Sequence, residues 1–186
     1  MLVLSQMQDR NQAKYFRSIW GEVPVTLSQK SATSSKGFPD LFIAKKMALP
    51  MKVFVYGTLL SGFSNHFLME NCKSLGAAIT TEKFAFFIGD YPFVNSQIRE
   101  AHITGELYEV NDTQSLEDLD ALEQHPDWYV RTECEVELVE SKELVSAQIY
   151  FLDKEDVNKA EKVPSGSFRD SPTSAKYLVT AEVLVN

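Results

Sequence analysis

The chain has 186 residues, 44% of them hydrophobic and 24% charged, enough for one domain with a buried core, and its apolar runs are strand-sized, too short to span a membrane. The net charge of −8 is unevenly spread: residues 1–50 carry seven Lys/Arg against three acids, a balance of +4, which leaves −12 for residues 51–186. An acidic body lacks the basic footprint of a sequence-independent nucleic-acid binder, so the expected partners are small molecules, with no nucleic acid and no membrane.

Residues 1–50 read as an N-terminal extension of flexible character, not as a domain. A short helix is expected over 6–19. The polar run from Ser28 to Gly37 has the composition of a linker. The first twenty residues hold three basic groups and one acid, which is compatible with mitochondrial-type targeting. A disordered tail or an upstream start is the favoured reading, because Met51 stands immediately before the first well-formed strand.

From Met51 the pattern becomes globular, and residues 51–186 form the domain. Val53, Phe54, Val55 and Tyr56 make a strand apolar on both faces, hence central. It runs into Gly57, Thr58 and Leu59, a turn whose backbone N–H groups form a potential anion cradle or, equally, a plain structural turn. Further strands are expected over 75–81, 84–88, 102–110, 132–139 and 144–152, all rich in β-branched and aromatic residues. Helices are expected over 65–71, 113–123 and 173–184, the last with Ser171 as cap and Pro172 in its first turn.

Cys72 and Cys134 match no metal-ligand spacing, and His66, His102 and His125 fall in no zinc-binding arrangement, so no metal is expected. Two reduced thiols suit a reducing compartment and a cytoplasmic location. A thiol hydrolase built on either cysteine is the weakest functional reading, since neither sits in a nucleophile signature.

The helix at 113–123 presents a carboxylate problem. At about 100° per residue, Leu116, Leu119 and Leu122 form one stripe, and Glu123 projects within it while Glu117 and Asp118 point elsewhere. A carboxylate on the core face of a last helical turn is costly to desolvate and gains nothing from the negative end of the helix dipole. Both effects raise its pKa toward that of a general base useful near neutral pH. The structural alternative is a salt bridge to Arg131 or a hydrogen bond to a tyrosine.

These features occur in a characteristic order. Tyr56-Gly57-Thr58-Leu59, Gly62 with Asn65, Gly89-Asp90-Tyr91-Pro92, Gly105-Glu106-Leu107-Tyr108, and Leu119-Asp120-Ala121-Leu122-Glu123 followed by Pro126, Tyr129 and Arg131 resemble the γ-glutamylcyclotransferase-like family. The resemblance covers about residues 51–170 and is closest to the AIG2-like γ-glutamylaminecyclotransferases. It implies an α+β fold, a small mixed β-barrel with flanking helices. It also implies cyclisation of a γ-glutamyl group to 5-oxoproline with release of the amine, without a cofactor. By the same resemblance, Tyr56, Gly57, Thr58 and Leu59 form the substrate-binding loop and Glu123 is the catalytic acid/base. Tyr129 and Arg131 are candidates to orient Glu123, and Tyr150 is a candidate to reach the pocket with its hydroxyl. Ser165-Gly166-Ser167-Phe168-Arg169 resembles the family's Gly-plus-aromatic stretch, with Phe168 where a larger polar aromatic is common. A non-catalytic module that binds a γ-glutamyl metabolite is the alternative function.

Overall fold

The structure is a computed structural model that describes residues 49–179. The helix expected over 6–19, the linker at 28–37 and the end of the helix expected over 173–184 lie outside the described residues.

Strand β1 (Met51–Val55) buries Val53, Phe54 and Val55 completely, as its lack of a polar face requires. It pairs antiparallel with β4 (Ala101–Val110) and parallel with β6 (Leu144–Phe151). The β6 strand continues antiparallel into β5 (Val130–Leu138). β2 (Lys73–Ile88) then pairs with both β4 and β5 and closes the ring. The result is a closed five-strand mixed barrel in the order β2–β4–β1–β6–β5, with extra strands and few helices. Closure leaves none of these five strands as a free edge over its paired length.

The two strands expected over 75–81 and 84–88 are one 16-residue strand. Its pairing to β4 shifts register between Ile79 and Lys83, where the polar run Thr80-Thr81-Glu82 suggested a break. The Thr80 hydroxyl sutures this irregularity: it donates to the Glu82 carbonyl at 2.6 Å and accepts from the Ile103 N–H at 2.9 Å. Beyond it, the end of β2 leaves the barrel and pairs with β3 (Pro92–Asn95) and β7 (Glu161–Lys162). β3 was not anticipated, because Gly89-Asp90-Tyr91-Pro92 reads as turn chemistry and only four residues follow the turn.

One α-helix stands among the described residues, α1 (Thr113–Leu122). Asp112 caps it, one carboxylate oxygen accepting from the Ser115 N–H and the other from the Ser115 hydroxyl, both at 2.8 Å. Leu116 and Leu119 are buried, and Gln124, at φ 50, turns the chain out of the helix. The helix expected over 65–71 is a single 3-10 turn, His66–Met69. The last helix begins as expected, Ser171 capping the Thr173 N–H ahead of Pro172, but it too is 3-10 and ends at Tyr177. Extended pairing ends it: Leu178 bridges Phe63, the Ser64 N–H donates to the Tyr177 carbonyl, and the Val179 N–H donates to the Gly62 carbonyl.

Candidate active site

The loop that leaves β1 is anchored at both ends. Leu60 N–H donates to the Gly57 carbonyl at 3.1 Å, forming a tight turn. Asn65 Nδ2 donates to the Thr58 hydroxyl at 2.8 Å, its backbone N–H donates to the Thr58 carbonyl at 3.0 Å, and His66 Nδ1 donates to the Leu59 carbonyl at 3.0 Å. With the carbonyls so engaged, the N–H groups of Gly57, Thr58 and Leu59 have no acceptor among the described residues. Three successive unengaged N–H groups in a turn are donors open to an anion, and this loop is the candidate cradle. A Cβ at 57 would lie 2.9 Å from Pro92 Cγ, so any other residue there must displace the loop or the proline ring.

Tyr56 ties the cradle to the barrel. Its buried hydroxyl donates to the Tyr150 carbonyl at 2.7 Å and accepts from the Val94 N–H at 3.3 Å, joining the ends of β1, β3 and β6. The phenol is thus committed to structure, and desolvation followed by the negative charge of Glu123 holds its pKa well above the usual value. The charge of Glu123 therefore reaches the residue that opens the loop.

Glu123 caps the C-terminal end of α1, its N–H donating to the Leu119 carbonyl at 3.0 Å. The residue keeps partial solvent contact, but burial of the carboxyl, reinforced by the neighbouring charge of Asp120, pushes its pKa up to about 8. Neither alternative raised by the sequence holds. Arg131 pairs with Asp120 at 2.7 Å, and the tyrosines donate elsewhere: Tyr150 to Asp120 Oδ1 at 2.7 Å and Tyr129 to the Pro92 carbonyl at 3.1 Å. Among the described residues nothing donates a hydrogen bond to the Glu123 carboxylate. Tyr129 holds Glu123 through the backbone alone, its N–H donating to the Glu123 carbonyl at 3.1 Å, the Arg131 ion pair goes to Asp120, and Tyr150 reaches the site through Asp120. Tyr129 and Tyr150 also have pKa values raised first by burial, with the Glu123 charge adding to it.

The structure adds residues to which the sequence assigned no role. Glu106 lies opposite Val55 in the β1–β4 register, next to the loop. Its carboxylate accepts from the Ser61 N–H at 3.0 Å, the Ser61 hydroxyl at 2.9 Å, the Tyr108 hydroxyl at 2.7 Å and Arg169 at 2.8 Å. Burial opposes its ionisation, but these donors outweigh burial and hold its pKa below the ordinary carboxylate value. Arg169 also donates to the Ser61 carbonyl at 2.9 Å, so the far end of the loop is clamped from two sides. Gly105 lets this happen: a Cβ there would sit 2.1 Å from the Val55 carbonyl oxygen. Phe168 is fully buried against Phe63, Phe86 and Tyr177, a core residue rather than a pocket edge. Among the described residues no cluster of His, Cys, Asp and Glu could hold a metal ion.

Residues 53–170 match the family model described as gamma-glutamyl cyclotransferase, AIG2-like. The chain belongs to that family. A provisionally named gamma-glutamylcyclotransferase of Methanocaldococcus jannaschii is 39% identical over 119 residues, 63% of this chain and 95% of that protein. Mouse gamma-glutamylaminecyclotransferase is 37% identical over 97 residues, 47% of this chain and 64% of its own length. The crystal structure of an AIG2-like protein from Mus musculus superposes with a TM-score of 0.59 at 26% identity, covering 70% of this chain and 97% of that one. The α+β barrel expected from the sequence is the fold of these AIG2-like relatives.

Proposed function

We propose that this cyclotransferase-family protein closes a γ-glutamyl amine to 5-oxoproline and releases the free amine, with Glu123 as general base and then general acid. The observation that carries the reading is a desolvated carboxyl without a hydrogen-bond donor, whose charge acts on Tyr56 at the head of a loop with three unengaged N–H groups. A γ-glutamyl compound carries an α-carboxylate, an α-ammonium and a γ-amide. The Gly57, Thr58 and Leu59 N–H groups suit the carboxylate, and Glu123 suits the ammonium.

In the reaction, Glu123 takes a proton from the α-ammonium, and the freed nitrogen attacks the γ-carbonyl carbon of the same molecule. The new C–N bond closes a five-membered ring. The amide C–N bond to the leaving amine then breaks as Glu123 returns the proton to that nitrogen, and the second proton of the ring nitrogen passes over the same carboxylate to the released amine, which departs as an ammonium. No water is consumed and the carboxylate is regenerated. A base with a pKa of about 8 is matched to this exchange, since an ordinary carboxylate is too weak to deprotonate an ammonium efficiently. Because nucleophile and electrophile belong to one molecule, holding the folded substrate conformer supplies much of the acceleration, up to roughly 7–11 kcal/mol in the best intramolecular cases.

Lysine side-chain amides, other γ-glutamylamines and γ-glutamyl amino acids share the anchored half of the substrate and differ in the leaving group. The decisive experiment incubates the protein with a panel of all three and follows 5-oxoproline by mass spectrometry. Turnover of an amine conjugate that is lost in Glu123→Gln supports the proposal. Binding of 5-oxoproline without turnover of any panel member at high enzyme concentration overturns it in favour of a metabolite-binding module.

A further inference from the structure

The 3-10 turn at His66–Met69 has an asparagine in its N-cap position, where an Asn side chain ordinarily accepts from a backbone N–H of the first turn. Asn65 makes no such cap. Its buried side chain reaches seven residues back and donates from Nδ2 to the Thr58 hydroxyl at 2.8 Å, while its backbone N–H donates to the Thr58 carbonyl at 3.0 Å. Two bonds from one residue thus fix both the backbone and the side chain of Thr58.

A hydroxyl has one proton to give and lone pairs to receive with. With Asn65 Nδ2 as donor, the Thr58 oxygen is the acceptor of that bond, and its own proton is left for another partner. Turn hydroxyls ordinarily return this proton to a nearby backbone carbonyl. Here the Gly57 carbonyl takes the Leu60 N–H, the Thr58 carbonyl takes the Asn65 N–H and the Leu59 carbonyl takes His66, and the Thr58 hydroxyl donates to no acceptor among the described residues. Thr58 is also the part of the loop that solvent reaches: Tyr56, Gly57, Leu59 and Leu60 are buried, and Thr58 keeps partial exposure. The uncommitted proton therefore sits on the residue that an incoming molecule meets, next to the unengaged N–H groups of the same turn.

We infer that the Thr58 hydroxyl is a fourth hydrogen-bond donor to the α-carboxylate of a γ-glutamyl substrate, and that Asn65 is the positioning residue that keeps the hydroxyl proton directed at that anion. The inference rests on the reading of the Gly57–Leu59 turn as a carboxylate cradle, but not on turnover. Thr58 touches the anion, whereas Asn65 acts through Thr58. The α-carboxylate is unchanged by ring closure, so this donor holds substrate and 5-oxoproline alike.

The test is calorimetric titration of 5-oxoproline into the full chain. Thr58→Val keeps the β-branched shape and the backbone N–H groups and removes only the hydroxyl, so affinity should fall by roughly 10–100-fold, the range for one hydrogen bond to a charged group. Thr58→Ser keeps the hydroxyl and should bind as the wild type does. Asn65→Ala lets the hydroxyl rotate and should weaken binding several-fold, yet change nothing further when combined with Thr58→Val, because its effect passes through the hydroxyl. Were the Asn65 amide turned the other way, Oδ1 would take the Thr58 proton and Thr58→Val would retain wild-type affinity. That result overturns the inference. So does an Asn65→Ala loss of equal size with and without the Thr58 hydroxyl, which is what a purely structural asparagine gives, and so does absence of 5-oxoproline binding to the wild type. If Asn65→Ala melts as an unfolded chain, the comparison of Thr58→Val with Thr58→Ser decides. Affinities that follow this pattern in a protein without turnover refute the cyclotransferase reading and leave the inference standing, and turnover together with full affinity in Thr58→Val does the reverse.

Discussion

Replacing Glu123 by Gln should abolish 5-oxoproline formation and at the same time make the protein more stable at alkaline pH. The folded carboxyl titrates near 8 against an ordinary value of 4.5. A gap of that size corresponds to roughly 5 kcal/mol at about 1.4 kcal/mol per unit. Partial exposure of the residue screens the effect, so a contribution of roughly 2–3 kcal/mol is expected.

The sign follows from proton uptake. Between pH 4.5 and about 8 the unfolded chain has lost this proton and the folded chain keeps it, so rising pH favours unfolding across that window. Below the window both states are protonated and the penalty vanishes, and above it the penalty is complete. Glutamine mimics the neutral acid and carries no such dependence. Parallel urea melts of both proteins from pH 5 to 9 give a difference in unfolding free energy near zero at the acid end, growing in favour of Glu123→Gln to roughly 2–3 kcal/mol at the alkaline end. Turnover should fall by at least the roughly 10²–10⁴-fold that general acid–base catalysis contributes. Parallel stability curves at every pH would refute the claim that folding desolvates this carboxyl. Retained turnover would refute its role as base.

Three further outcomes test the loop and the discarded chemistry. Gly57→Ala pushes a Cβ to 2.9 Å from Pro92 Cγ, displacing the cradle by tenths of an ångström, and calorimetry should show 5-oxoproline binding weakened by roughly 10–100-fold with little change in melting temperature. Glu106→Gln loses charge-assisted bonds to Ser61 and Arg169, costing about 1.5–3 kcal/mol, and hydrogen exchange at Thr58–Ser61 should speed up more than in the barrel strands. In the wild type, the Glu106 stabilisation is present above the ordinary carboxylate range and is lost as pH falls through its lowered folded value. Iodoacetamide at pH 7.5 should leave both native thiols unmodified and turnover intact: burial pushes Cys134 up to about 11 and raises Cys72, so thiolate is scarce. Inactivation by that reagent would revive the thiol hydrolase.

The elements that sequence patterning located are those whose residues are buried for local reasons. β1 was legible because three successive apolar side chains need cover on both faces, and α1 because Asp112 and the leucine stripe mark its start and its inner face. β2 was read as two strands because Thr80 and Glu82 break the alternation. What carries the chain through that break is the Thr80 hydroxyl bonding to β4, a contact from a strand some twenty residues away. The two short helices were given the wrong type because apolar spacing cannot distinguish one 3-10 turn from an α-helix. Within Gly105-Glu106-Leu107-Tyr108 nothing local marks the role of Glu106, since its meaning depends on Ser61 and Arg169 folding back on it from opposite directions in sequence.

Asp120 and Glu123 show where sequence reading stops. Both are carboxylates near the end of one helix, and nothing within that helix says which becomes an ion-pair partner and which a titrating acid. The choice is made by β5, which brings Arg131 to Asp120, and by β6, which brings Tyr150 to the same oxygen. Placed one turn earlier than Glu123, Asp120 meets these groups, while the Glu123 carboxyl has no donor among the described residues. The surroundings of the pair are thereby made different by barrel closure: Asp120 has an ion-pair partner, and Glu123 has a desolvated carboxyl with a raised pKa. Moving the carboxylates by a single helical position would exchange or erase those surroundings, since a step of about 100° swings either group off the shared face. The spacing Asp-x-x-Glu is therefore the part of the site that the helix dictates, and the difference in partners is the part that the barrel dictates.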